Sequence, residues 1–126
     1  MKWLNETSGL IETVIVVAGG VDTDFMSMSS VELLFVDRQN LSGSKFTVGP
    51  EMLIPLQQGV MVAFESSVVY TGGFLHNETV GQLYNLNLFQ LTNPQGPWTV
   101  MTQTLKEARE SPVAFLVSDD VANTCN

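Results

Sequence analysis

Thr13-Val14-Ile15-Val16-Val17-Ala18-Gly19-Gly20 and Ser67-Val68-Val69-Tyr70-Thr71-Gly72-Gly73 are built alike: an apolar, β-branched run that stops on a pair of glycines. β-branched and aromatic side chains favour extended backbone, and glycines permit the turn that ends it. The two glycine pairs lie 53 residues apart, and each is followed by a polar loop and another apolar run. A repeat of about 50 residues is one supersecondary unit long and points to a stacked or radial array.

Working outward, the candidate strands are residues 13–18, 31–36, 46–48, 59–65, 67–71, 82–88, 98–101 and 112–118. Each is a short run rich in Val, Phe, Tyr, Trp or Leu, bounded by Gly, Pro, Asn, Asp or Ser. Only residues 104–111 have helix-forming composition (Leu105-Lys106-Glu107-Ala108-Arg109-Glu110), and a segment that short is expected as a loop with at most one turn. No linker, charge block or low-complexity tract divides the chain, so the expected class is all-β.

The two units superpose in order. Gly19-Gly20 matches Gly72-Gly73, and the loop 21–30 matches 74–81. The run Val31-Glu32-Leu33-Leu34-Phe35-Val36 then matches Gly81-Gln82-Leu83-Tyr84-Asn85-Leu86. An aromatic follows each polar turn, Phe46 in the first unit and Trp98 in the second. Polar loops at 52–58 and 104–109 lead into the next runs, 60–64 and 112–116.

This order resembles the kelch repeat, the four-stranded antiparallel blade of a kelch-type β-propeller, over nearly the whole chain after about residue 12. The family pattern has four hydrophobic residues before a double glycine, then a Tyr, a Trp and a basic residue, often Arg. Here Gly19, Gly20, Gly72 and Gly73 fill the glycine positions, Trp98 the Trp position and Arg109 the Arg position. Val36 and Leu86 stand where the Tyr is expected, Phe46 replaces the first Trp, and Gln58 replaces the first Arg. The resemblance implies a partial propeller: an incomplete first unit at about 13–58, a complete blade at 59–101 and the start of another at 102–126. Two units cannot close a ring of about four to eight blades, so the remaining blades are expected from chain outside this sequence. Runs 13–18 and 112–118 would then lie at open sheet edges, which invite association. A small β-sandwich, which needs no closing partner, is the alternative architecture.

The implied roles of these motif residues are structural. The glycines allow positive φ where strands crowd. The Trp supplies a buried plate between blades with an N–H for a carbonyl, and the Arg can fork backbone carbonyls across a junction.

With 5 basic against 13 acidic residues, the net charge is −8, so a nucleic-acid partner is not expected. No apolar stretch approaches the ~20 residues of a membrane helix, so membrane insertion is not expected either. The single cysteine, Cys125, excludes a disulfide framework or a cysteine-rich zinc site within the chain. The residues from Met1 do not read as a signal peptide, having one positive charge and no apolar core. The sequons at Asn5, Asn40 and Asn77 hint at secretion, against a cytoplasmic family prior, and leave the compartment open.

Candidate sites compete with plain structural roles. His76 is the only histidine and has no second ligand beside it in sequence, which predicts a solvent-facing loop residue. Asp22-Thr23-Asp24 resembles the start of a calcium loop, but Phe25-Met26-Ser27 follows without the later ligands, which predicts a capped polar turn. Met26 and Met28 beside Phe25 put apolar side chains on a loop, where they must pack or bind.

In a propeller, the loops 21–30, 53–58, 74–81 and 103–110 would emerge on one face. The resemblance implies that this face binds a protein or peptide partner through Asp24, Phe25, Gln57, Phe74, His76 and Arg109. The expected function is a non-catalytic interaction module, in a substrate-adaptor, cytoskeletal or extracellular role, with no cofactor. Kelch-type propellers also include copper radical oxidases resembling galactose oxidase, built on two histidines, two tyrosines and a cysteine crosslink. This chain offers Tyr70, Tyr84, His76 and Cys125 toward that alternative, without the second histidine.

Overall fold

Nine strands in two antiparallel sheets and one 3-10 turn at Leu41–Gly43 account for the regular structure in the computed structural model, which describes residues 1–37, 39 and 41–117. The all-β class holds. The first sheet is a four-stranded meander: β1 (Lys2–Asn5), β2 (Leu10–Ala18), β3 (Val31–Val36) and β4 (Phe46–Val48) pair in chain order. The second sheet orders β5 (Gln57–Ala63), β6 (Val68–Asn77), β8 (Asn87–Leu91) and β9 (Thr99–Thr104), while β7 (Gly81–Tyr84) pairs with the far half of β6. These described residues form two open sheets and no closed ring.

Four expectations from sequence change. Lys2–Asn5 is a strand, so the first sheet has four strands where a unit counted from Thr13 lacks one, and β1 covers residues 10–13 of β2 while residues 15–18 have no strand beside them on that edge among the described residues. β6 does not stop at Gly72-Gly73 but runs through them to Asn77, because β7 folds back along its second half. The run 82–88 is two strands, not one. Asn85 breaks it, its buried side chain donating to Gly72 O (3.1 Å) and Asn87 O (3.0 Å) while accepting from Asn87 N (3.0 Å). Residues 112–117 carry no strand, and 118 lies outside the described residues. The segment 104–111 is a loop without a helical turn once β9 ends at Thr104.

Strand register sets the core. Val14↔Phe35, Val16↔Leu33 and Ala18↔Val31 put these side chains on one face of the first sheet. Met61↔Tyr70, Tyr70↔Phe89 and Val68↔Leu91 do the same in the second. The two faces meet, sealed by Met52, Leu56 and Trp98. Each fully buried aliphatic side chain here contributes on the order of 1.5–3 kcal/mol. Trp98 is 2% exposed, and its indole Nε1 donates to Pro50 O at 2.9 Å, tying the entry to β9 to the segment between the sheets.

The 53-residue repeat is kept in backbone contacts. Gly20 N donates to Leu56 O (2.9 Å), and Gly73 N donates to Arg109 O (2.7 Å), each pair 36 residues apart. Gln58 and Ser111, also 53 apart, both have positive φ, 55° and 50°.

Candidate functional site

The loop joining β2 to β3 begins as a tight turn built by Asp22. Its Oδ1 accepts from Asp24 N and Met26 N, both at 2.9 Å, its carbonyl accepts from Phe25 N (3.1 Å), and its own amide donates to Met26 O (3.0 Å). A short acidic side chain capping its own following amides is the expected local chemistry of Asp in a turn. The consequence is Phe25 at the turn's tip with φ of 63° and 75% exposed, an aromatic held outward in a conformation bulky residues rarely adopt. Asp24 is exposed beside it.

Ser27 joins this loop to the second sheet. Its amide donates to His76 O (2.9 Å), and its hydroxyl accepts from His76 N (2.7 Å) and from Gln57 Nε2 (3.0 Å). The same hydroxyl lies 3.3 Å from Phe74 O, and Gln57 Nε2 also approaches Phe25 O at 3.4 Å. Gln57 pairs with Phe74 in the β5–β6 register, and both are buried. Phe25, Gln57, Phe74 and His76 are therefore brought together around one serine. Ser27 was not among the residues nominated from sequence: a lone serine in a polar loop carries no pattern, and its partners are 30 to 49 residues away.

Within the cluster the roles separate. Phe74 and Gln57 are buried supports, Phe74 stacking obliquely on Tyr84 with ring centroids 5.8 Å apart. His76 is half-buried, and its Nδ1 donates to Gly81 O at 3.1 Å. Phe25, Asp24 and the His76 ring form the accessible part. An apolar groove of about 340 Å³ runs along the β6–β7 hairpin, lined by Ile54, Leu75, Leu83, Tyr84 and Leu86 among others.

Arg109 lies apart from Ser27. Its carbonyl, not its guanidinium, makes the structural contact, accepting from Gly73 N, while the side chain is exposed and 3.8 Å from Glu107. Phe46, on β4, is 51% exposed on the outer face of the first sheet.

Tyr70 is buried in β6, where its hydroxyl accepts from Gly59 N at 3.1 Å; burial pushes its phenol above the ordinary value. Tyr84 is exposed on β7, and Cys125 lies outside the described residues. Among the described residues no three His, Cys, Asp or Glu side chains group as a metal site, and no helix is long and apolar enough to cross a membrane.

Asn5 and Asn77 each open a hairpin turn, their Oδ1 atoms accepting from Thr7 and Ser8 amides and from Thr79 and Val80 amides respectively. Asn40 is outside the described residues. The chain matches no known family model, and no curated protein sequence matches it.

Proposed function

We propose that this chain is part of a kelch-like propeller and serves as a non-catalytic interaction module, binding a protein or peptide partner through the Phe25 loop and the β6–β7 hairpin. The observation that carries this reading is the presentation of Phe25. An aromatic carried on a turn whose backbone is held by the Asp22 hydrogen bonds needs little backbone ordering on binding, which suits a contact anchor. The Ser27 bonds fasten that loop to β5 and to the β6–β7 hairpin, so the tip is braced against the sheet that also carries the apolar groove. Loops braced by a sheet scaffold are where recognition usually resides.

The test is affinity capture with wild type, Phe25→Ala and a distant surface control, Lys45→Ala, followed by reconstitution with the purified partner. Truncating the anchor is expected to weaken binding about tenfold or more, with the control unchanged. Equal binding by wild type and Phe25→Ala would count against this surface.

A further inference from the structure

The β1–β2 hairpin leaves half of β2 without an inner neighbour. β1 pairs only with residues 10–13, and Met1 then exchanges both backbone bonds with Val14, at 2.8 Å each. In an antiparallel strand the bonding direction alternates, so Val16 and Ala18 point their N–H and C=O toward the same edge as Val14. Among the described residues no strand lies beside them there. In the second sheet the corresponding edge is filled: residues 68–71 of β6, the 53-residue counterparts of 15–18, pair with residues 60–63 of β5.

The strand that would fill the gap exists in the chain. Adding 53 to residues 60–63 of β5 gives residues 113–116, Val-Ala-Phe-Leu. The approach to this segment already follows β5: Arg109 O holds Gly73 N as Leu56 O holds Gly20 N, and Ser111 turns with positive φ as Gln58 does. Beyond that turn the segment joins no sheet among the described residues. Val113 is 89% exposed and Phe115 78% exposed, an apolar strand sequence left in solvent.

The faces agree with the edges. Adding 53 makes Val69 the counterpart of Val16 and Tyr70 that of Val17, and because side chains alternate along a strand, Val69 and Tyr70 lie on opposite faces of β6. The core of the molecule therefore joins unlike faces, the Val16 side of one sheet to the Tyr70 side of the next. An interface between unlike faces propagates head to tail. The face that would continue it, on the back of the first sheet, carries Ile15, Val17, Phe46 and Val48, all largely exposed.

We propose that copies of this chain associate head to tail, residues 113–116 of one copy adding as an antiparallel strand to residues 15–18 of β2 in the next. The register carried over from β5 and β6 sets Val113 against Ala18 and Phe115 against Val16, the two residues that have no strand beside them on this edge among the described residues. The strand abuts Met1 without displacing it, and Pro112, lacking an N–H, stands just before the strand, where no ladder bond is asked of it. The back of the first sheet is covered in the same step by the outer face of the preceding copy's second sheet, which carries Val60, Val62 and Val69. This surface is separate from the Phe25 loop and does not depend on its reading.

The test begins with sedimentation equilibrium of the full chain over a wide concentration range. Mass should rise with concentration above that of a single copy, and Phe115→Pro, which deletes the N–H aimed at Val16, should sediment as one copy with an unchanged circular dichroism spectrum. A second arm mixes Val17→Cys chains with Ala114→Cys chains, both carrying Cys125→Ser, under mild oxidation. A disulfide joining the two kinds of chain is expected, because Val17 and Ala114 would sit directly opposite. A wild type that stays single at every concentration, a Phe115→Pro chain that associates like wild type, or crosslinking only between Val17→Cys chains would each overturn the proposal.

Discussion

Ser111 donates its amide to Gln58 O at 2.8 Å and its hydroxyl to Gln58 Oε1 at 3.1 Å, so residues one repeat apart hold each other at the point where each segment turns left-handed. Left-handed backbone costs a non-glycine residue about 1–2 kcal/mol. Ser111→Gly should therefore be neutral or stabilising by up to about 1 kcal/mol, the lost exposed hydroxyl bond and the freer unfolded chain offsetting part of the relief. Ser111→Val, with a branched side chain at the same φ, should cost about 1–3 kcal/mol. Urea denaturation of the two variants checks this, and a Val variant as stable as wild type would mean that the turn is not held left-handed.

The glycines of the two pairs are not equivalent in what surrounds them. A Cβ on Gly73 would run into Gln57 O and lie 2.7 Å from Gly59 N, both backbone atoms that cannot step aside. At Gly20 nothing lies within 4 Å, and only its φ of 107° opposes a side chain. Gly73→Ala should cost more than about 3 kcal/mol, in the range reserved for disrupted cores, and Gly20→Ala about 1 kcal/mol. Comparing their denaturation midpoints decides it. Equal losses would show that φ alone, and not the crowding between β5 and β6, fixes the second pair.

Tyr70 predicts an alkaline limit on stability. Burial holds its phenol neutral, so the folded pKa lies above the unfolded value near 10. Below that pH both states keep the proton, and the contribution is constant. As pH rises past about 10 the unfolded state ionises first, and stability falls by up to about 1.4 kcal/mol per pH unit until the folded pKa is reached. Tyr70→Phe should flatten this slope while costing about 1–3 kcal/mol at neutral pH, because Gly59 N loses its acceptor. Melting temperatures of the two proteins between pH 8 and about 11 separate these effects, and parallel curves would show that Tyr70 ionises freely in the fold.

Short apolar runs bounded by turn residues are legible in the sequence: residues 31–36 and 46–48 are β3 and β4 as read. The glycine pair misled at Gly72-Gly73, since glycine reads as a stop while the backbone continues there into a longer hairpin. The break at Asn85 had a signal in the Asn-Leu-Asn sequence, but an asparagine bonding to its own backbone looks the same in a loop and inside a strand run. Phe25, Gln57, Phe74 and His76 were nominated by their loops, yet what gathers them is Ser27, whose bonds join segments far apart in sequence. Periodicity reports burial along a strand, and it carries no record of which loops a single hydroxyl will tie together.

Thr71 tests the outer face of the second sheet. Its Oγ1 is buried and has no hydrogen-bond partner among the described residues, whereas its neighbours on that face, Val60 and Val69, are aliphatic. An unpaired buried hydroxyl costs about 1–3 kcal/mol relative to a group that needs no partner. Thr71→Val keeps the branched shape and β propensity while removing the hydroxyl, so it should raise stability by about 1 kcal/mol. If the face is covered by a neighbouring copy, the gain should grow with protein concentration, since the valine improves the packed state more than the free one. Denaturation at two concentrations reads both effects, and a loss of stability in the variant would show that the Thr71 hydroxyl is satisfied in solution.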